Sequence, residues 1–139
     1  MPIGPGHNSG ALMVLDPDGR ILLLRQGYRG RKWTLPGGMA NPAESPREAA
    51  VRETVEETGL QLDAGELVAV YHKRSGNRGL RFVFAADAPA GAPVRIDGGE
   101  IVDWGWFELD ALPRRCTRVV RRLCRDLRRG STDPYGEIG

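Results

Sequence analysis

The stretch from Gly38 to Leu60, GMANPAESPREAAVRETVEETGL, carries the strongest structural signal in this chain. It contains a helix whose beginning and end are both marked in the sequence. Ser45 is a favourable N-cap, Pro46 falls at the first helical position, and Glu48 completes a capping box. Gly59 suits the left-handed conformation that often closes a helix. The stretch therefore predicts one helix between Pro46 and Gly59.

Three carboxylates share one face of this predicted helix, Pro46–Thr58. At about 100° per residue, Glu57 lies about 40° and Glu56 about −60° from Glu53 around the helix axis. Like charges at these spacings repel each other by a few tenths of a kcal/mol per pair. A hard divalent cation would reverse that cost, because Mg²⁺ prefers carboxylate oxygens. Taken alone, the helix leaves a metal site and a solvated acidic face as equal alternatives.

The residues around the helix favour the metal site. Gly37 and Gly38 have no side chain, so the backbone there can come close to a metal ion or a phosphate. Arg52 lies four residues before Glu56, where its guanidinium can hold a carboxylate in place. Glu44 lies just before the helix and can reach back over its first turn. One short segment thus carries metal ligands, a close backbone approach and a positioning cation.

The segment from Gly38 to Leu60 resembles the Nudix box, G-x5-E-x7-R-E-U-x-E-E-x-G-U, in which U is a bulky aliphatic residue. Every charged and glycine position of that pattern is matched. The one departure is Thr54 at the first U position, which we interpret as a packing variant. The segments Trp33–Gly37 and Trp106–Pro113 are also similar to family sequence, so the resemblance runs from about Gly10 to Arg129. It implies an α/β/α sandwich around a mixed β-sheet, with the box as a loop–helix–loop motif.

The distribution of apolar and turn residues agrees with a single α/β domain. At 139 residues the chain has room for one domain. We expect a flexible lead-in over 1–9, the domain over 10–130 and a mobile tail over 131–139. On the first helix we expect Val51 and Val55 to bury against the sheet. The predicted strands are Ala11–Leu15, Arg20–Arg25, Trp33–Leu35, Leu67–Lys73, Leu80–Ala86 and Ile101–Phe107, and the predicted second helix is Leu112–Arg128.

The resemblance implies a hydrolase that cleaves a diphosphate linkage, often in a nucleoside diphosphate joined to another group, by attack of water on phosphorus. Arg52 would orient the glutamates of the box, and Glu44 would support the loop or an outer metal. By position, the ligands of Mg²⁺ or Mn²⁺ would be Glu53, Glu56, Glu57 and the backbone carbonyl of Gly38.

The reaction also needs a carboxylate that accepts the proton of the attacking water. Glu53 of the box is one candidate for this base. Some family members use an acid from a later loop instead. Here Glu100, which follows two glycines and precedes a predicted strand, is the natural candidate, and Asp103 is the second. The sequence leaves the choice between Glu53 and Glu100 open.

The substrate is less well defined than the reaction. The short chain without insertions suggests a small nucleotide, either a nucleoside triphosphate or a nucleoside diphosphate sugar such as ADP-ribose. Arg25, at the end of a predicted strand, and Lys32, in the loop after it, are candidate phosphate contacts. The alternatives are a diadenosine- or diphosphoinositol-polyphosphate hydrolase, and a non-catalytic module that binds a nucleotide or RNA.

Composition restricts the partners and the location. The net charge of +2 excludes a strong overall attraction to nucleic acid, and the arginine-rich C-terminal segment is interpreted as the solvated face of a helix. The chain has no apolar run near the ~20 residues of a membrane span. Cys116 and Cys124 lie about 12 Å apart on the predicted helix, too far for a disulfide. We therefore predict a cytoplasmic monomer or homodimer with a small-molecule substrate and neither nucleic acid nor membrane as partner.

Overall fold

The sequence folds into one mixed β-sheet with a helix on each side. The computed structural model describes residues 7–74 and 78–139. Within these residues the elements are β1 Ser9–Leu15, β2 Ile21–Gln26, β3 Trp33–Thr34, β4 Gly37–Met39, α1 Pro46–Thr58, β5 Leu67–Lys73, β6 Gly79–Asp87, β7 Ile101–Phe107, α2 Arg118–Arg129 and β8 Tyr135–Ile138.

The sheet has the strand order β3-β2-β1-β6-β5-β8, with β4 paired to β1 and β7 paired to β2. The β1–β6 and β5–β8 pairs are parallel and the other pairs are antiparallel. The apolar run Ile21–Leu24 is fully buried because both faces of β2 are covered. One face packs on Ala50 of α1 and the other on Val120 and Leu123 of α2. The predicted sandwich around a mixed sheet is confirmed.

Helix α1 has the bounds that its capping residues predict. Ser45 accepts a hydrogen bond from the backbone N–H of Glu48 at 3.1 Å, and the Glu48 carboxylate accepts one from the N–H of Ser45 at 3.0 Å. Gly59 closes the helix at φ 73°. Both ends of this helix are therefore specified locally.

The buried face of α1 differs from the predicted one. Val51 and Val55 are only half-buried, whereas the small residues Ala49, Ala50, Thr54 and Thr58 pack inward. The reason is the close approach of α1 to β1: a Cβ on Gly10 would overlap the carbonyl of Pro46. Thr54 is fully buried and its hydroxyl donates to the carbonyl of Ala50 at 2.7 Å, so the packing interpretation of this position is confirmed. The small-residue face adjoins the glutamate face, which brings the glutamates to the sheet.

Helix α2 is shorter than predicted. It begins at Arg118 instead of Leu112, because Thr117 provides the N-cap and Arg115 lies in the left-handed region at φ 60°. Cys116 and Cys124 are both free, as predicted. The two helices, of 13 and 12 residues, are too short and too polar to cross a membrane, in so far as the structure describes the chain.

The expectation of a mobile tail over 131–139 is wrong. Residues Tyr135–Ile138 form β8, which pairs with β5 in parallel, and Ile138 is only 6% exposed. The aliphatic side chain of Ile138 reaches the core, where it joins the α2 side of the sheet. Residues 1–6 of the predicted lead-in and residues 75–77 lie outside the described residues, and Ser9 already belongs to β1.

We predict that Ile138→Ala lowers the free energy of unfolding by about 2 kcal/mol, the low end of the range for buried aliphatic truncations. Thermal unfolding measures this change, with Tyr135→Ala as the control because Tyr135 on the same strand is 48% exposed. Equal melting temperatures for Ile138→Ala and the unaltered chain would show that β8 is not docked in solution.

Candidate active site

Arg52 is the central side chain of the candidate site. Its Nε and Nη2 donate to the two carboxylate oxygens of Glu44 at 2.7 and 2.9 Å. Its Nη1 donates to Glu53 at 3.0 Å and to Glu56 at 3.2 Å, and its Nη2 reaches the carbonyl of Met39 at 3.2 Å. One guanidinium thus connects Glu44, in the loop before α1, to two of the three box glutamates that lie on α1. Lysine has neither the planar fork nor enough donors to replace it.

The glutamate face of α1 also lies against β4. The N–H of Gly37 donates to Glu57 Oε1 at 2.8 Å. A Cβ on Gly38 would lie 2.6 Å from Cδ and 2.8 Å from Oε1 of Glu53. Any side chain at position 38 would therefore occupy the space beside the Glu53 carboxylate. The glycine leaves a cradle between the strand backbone and the helix.

Burial and like charges raise the pKa values of Glu53 and Glu57, whereas Arg52 lowers the pKa of Glu44. Burial raises the pKa of Glu57 to about 8, and the neighbouring Glu53, Glu100 and Glu56 add to this rise. Burial also raises the pKa of Glu53, although Arg52 opposes the shift. The hydrogen bonds from Arg52 lower the pKa of Glu44 to about 2. The site therefore contains two acids whose negative charge is not fully compensated and one that is firmly ionised.

A cleft of about 560 Å³ opens beside Glu53, Gly37 and Gly38. Glu100 lines the same cleft, although it lies 47 positions further along the chain. Five basic residues form another part of its wall: Arg29, Lys32, Lys73, Arg81 and Arg118. The cleft thus combines carboxylates with a group of cations, an arrangement suited to a phosphorylated ligand and a divalent cation.

The comparisons with known proteins agree with this geometry. A family model described as the NUDIX domain matches residues 5–126. The chain belongs to the Nudix family. It is 28% identical over 127 residues to a Bacillus subtilis protein provisionally named an 8-oxo-dGTP diphosphatase. The aligned region covers 91% of this chain and 84% of that protein.

Two further relatives support the same assignment. A MutT-like protein of Streptomyces ambofaciens is 33% identical over 116 residues, covering 83% of this chain and 73% of the relative. The crystal structure of a MutT NUDIX hydrolase from Burkholderia pseudomallei superposes with a TM-score of 0.77 at 29% identity, covering 86% of this chain and 95% of that one. This chain is accordingly a Nudix hydrolase, a family that acts on nucleoside diphosphate derivatives.

The Nudix residues named from the sequence fall into two groups in the structure. Glu44, Glu53 and Glu56 come together around Arg52, whereas Glu57 accepts from the N–H of Gly37. Glu100 shares the cleft with Glu53 and Gly38. The carbonyl of Glu100 accepts from the N–H of Gly27 at 2.8 Å, which fixes its loop to the end of β2. Asp103 does not line the cleft; it is exposed and pairs across the strands with Arg25.

The sequence predicted only one of the five basic residues that line the cleft. Lys32 lines the cleft, but Arg25 does not: its Nε donates to the carbonyl of Arg31 at 3.2 Å and holds the loop instead. From the sequence, Arg29 and Arg118 were interpreted as solvated charge on a loop and on the C-terminal helix, and Lys73 and Arg81 were not predicted as site residues. A charged residue inside an otherwise apolar strand was the available signal for Lys73 and Arg81. Nothing local marks the other two.

The donor set of the box fits a divalent metal ion. Its side chains offer only carboxylate oxygens, the ligands that Mg²⁺ and Mn²⁺ prefer. The cradle at Gly38 leaves room beside Glu53, and the raised pKa values of Glu53 and Glu57 show negative charge that a cation would stabilise. Among the described residues no three of these side chains already surround one point, because Arg52 and the N–H of Gly37 hold them.

We predict that Glu57→Gln stabilises the metal-free protein in a pH-dependent way. The pKa of Glu57 is raised from 4.5 to about 8, so its ionised form is disfavoured in the fold. Stability is then lost as the pH rises from 4.5 towards 8, and the variant escapes this loss. Its melting temperature in EDTA should match the unaltered chain near pH 5 and exceed it by several degrees near pH 8.5.

The exposed Glu108 supplies the control for this measurement. Glu108→Gln should leave the melting temperature unchanged at both pH values, because its carboxylate is solvated. A Glu57→Gln variant that is less stable than the unaltered chain at the higher pH would contradict the electrostatic interpretation.

Proposed function

We propose that this Nudix hydrolase is a Mg²⁺- or Mn²⁺-dependent diphosphatase that hydrolyses a nucleoside triphosphate or a nucleoside diphosphate sugar by water attack on phosphorus. The observation that carries the proposal is the cleft itself, in which Glu53 and Glu100 share one cavity with five basic residues. Anionic phosphates need cations for binding, and the attacking water needs a carboxylate that accepts its proton.

The metal would be held by Glu53, Glu56, Glu57 and the carbonyl of Gly38. When bound, it would neutralise phosphate oxygens and lower the pKa of water. Arg52 would act as a positioning residue, since it already binds Glu53 and Glu56 through one nitrogen. Glu44 would keep Arg52 in this orientation, because its two oxygens bind two nitrogens of the guanidinium.

Glu100 is the proposed general base. It is exposed in the cleft, whereas Glu53 is already held by Arg52 at 3.0 Å. In the reaction an O–P bond forms from water, the bridging P–O bond breaks, and the departing phosphate takes the bond's electron pair. The Glu100 carboxylate accepts the proton that the water loses. Water attack then needs no covalent intermediate with the protein.

The cleft suits a small nucleotide. Tyr28 at its rim is 46% exposed and offers an aromatic face for a nucleobase. The five basic residues keep a second candidate open, the hydrolysis of diadenosine or diphosphoinositol polyphosphates. A non-catalytic binding module is not retained, because the chain belongs to a hydrolase family and all four box glutamates are present. Cytoplasmic location and a monomeric or homodimeric state stay predictions.

We predict that turnover requires a divalent cation and the box glutamates. Glu53→Gln and Glu56→Gln should each lower kcat/KM by at least about 100-fold without changing the far-ultraviolet circular dichroism, and EDTA should abolish the activity of the unaltered chain. A nucleotide panel with Mg²⁺ or Mn²⁺ in ¹⁸O-labelled water measures the rates and shows which phosphorus gains the label.

Glu108→Gln is the control for this panel and should retain full activity. Hydrolysis that persists in EDTA, or that survives in Glu56→Gln at the unaltered rate, would contradict the metal-dependent mechanism.

We predict that Glu100→Gln lowers kcat by about 10²–10⁴-fold, the usual contribution of a general base. The apparent affinity for Mg²⁺ should change little, because Glu100 is not among the proposed ligands. Asp103→Asn is the matched control, since Asp103 lies on the adjoining strand but outside the cleft. Full activity of Glu100→Gln, together with a loss in Glu53→Gln at unchanged metal affinity, would assign the base to Glu53.

A further inference from the structure

The basic wall of the cleft consists of Arg29, Lys32, Lys73, Arg81 and Arg118. These residues come from the loop after β2, the end of β5, the start of β6 and the start of α2. None of the five forms an ion pair with a carboxylate side chain of the described residues. Other arginines of the chain do so, as Arg20, Arg52 and Arg122 show. Arg118 Nη1 donates a hydrogen bond to the backbone carbonyl of Gly139, which also lines the cleft. The basic wall therefore carries positive charge that no carboxylate side chain of the described residues neutralises.

Arg81 shows this most clearly. Its Nε is buried and has no hydrogen-bond partner within the part of the chain that the structure describes. Burial lowers the pKa of Arg81, and the charge of Arg29 lowers it further. A guanidinium does not give up its proton under ordinary conditions, so this donor stays charged and costs free energy until an acceptor oxygen reaches it. An anionic oxygen from a ligand would be that acceptor.

Lys73 shows the same imbalance from the neighbouring strand. Burial lowers its pKa first, and then four cations do so: Arg81, Arg29, Lys32 and Arg118. Lys73 therefore lies near four charges of the same sign as its own. Mutual repulsion among fixed cations becomes attraction when a polyanion lies between them, and the energy released grows with the number of negative charges on the ligand.

The number of cations bears on the substrate. The phosphates of the scissile diphosphate must lie beside Glu53 and the metal, on the acidic side of the cleft. A nucleoside diphosphate sugar has no phosphate beyond these two. The basic wall then has no anion to bind. A nucleoside triphosphate or a longer polyphosphate has at least one further phosphate, and Arg81 and Lys73 provide donors for its oxygens.

We propose that the basic wall is a binding site for a phosphate group beyond the scissile diphosphate, so that the substrate is a chain of three or more phosphates rather than a nucleoside diphosphate sugar. This inference rests on the proposed function for the position of the scissile bond. The basic wall itself binds phosphate without metal, and this property can be measured separately.

The first experiment measures binding of inorganic tripolyphosphate, pyrophosphate and orthophosphate to the metal-free protein in EDTA by isothermal titration calorimetry at constant ionic strength. Tripolyphosphate should bind at least about tenfold more tightly than orthophosphate. Lys73→Gln and Arg81→Gln should each weaken it about tenfold or more. Arg125→Gln and Arg129→Gln, on exposed positions of α2 outside the cleft, are the matched controls and should bind like the unaltered chain. Equal tripolyphosphate affinity in all five proteins would overturn the proposal.

The second experiment compares kcat/KM for a nucleoside triphosphate with that for a nucleoside diphosphate sugar. Lys73→Gln keeps the measurement informative should Arg81→Gln fail to fold, because Lys73 is the less buried of the two. The ratio of the two kcat/KM values should favour the triphosphate and fall at least about tenfold in Lys73→Gln. An unchanged ratio, or a preference for the sugar in the unaltered chain, would overturn the proposal. Tripolyphosphate binding without any metal-dependent hydrolysis would support phosphate binding by the basic wall and contradict the proposed function instead.

Discussion

The concentration of negative charge on one face of α1 is the constraint to which the rest of the site responds. Glu53, Glu56 and Glu57 lie on neighbouring turns, and the small inward face of the helix brings two of them to the sheet. Without opposing positive charge this arrangement would destabilise the helix. Arg52 provides that charge from the same helix, and Glu44 in turn holds Arg52. The result is a chain of ion pairs that fixes the geometry while leaving Glu57 without a cationic partner among the described residues.

Close packing between α1 and the sheet makes this charge useful. Gly10 lets the first turn of the helix lie directly on β1, and Gly38 lets the Glu53 carboxylate lie beside the backbone of β4. A larger residue at Gly10 would move the helix away from β1, and one at Gly38 would displace the Glu53 side chain. The carboxylates would then be more solvated, and the burial that raises the pKa values of Glu53 and Glu57 would be lost. The burial of the box carboxylates is thus a consequence of how close α1 lies to the strands.

The sequence predicts the features that short stretches specify. The capping residues of α1 and the spacing of the box give the helix bounds and the carboxylate face, because every contact involved lies within one or two helical turns. The inward face of α1 was assigned to Val51 and Val55 because apolar residues usually pack inward. Here the close approach at Gly10 selected small residues instead. Likewise the two buried residues of β8 are Gly136 and Ile138, and only Ile138 has a side chain to bury, which is too weak a pattern to identify a strand without its partner β5.

The two sides of the cleft are therefore specified in different ways. The box glutamates come from one contiguous segment, so their chemistry can be recognised wherever that segment occurs, and Glu100 is the acid that the fold adds to them. The basic side depends on topology: β6 lies parallel to β1 and antiparallel to β5, which brings Arg81 and Lys73 to the same end of the sheet. Single substitutions on β5 or β6 can change the charge presented to the ligand without touching Arg52 or the glutamates. It follows that hydrolytic chemistry and ligand preference are physically separable in this fold, and that the box alone carries little information about the substrate.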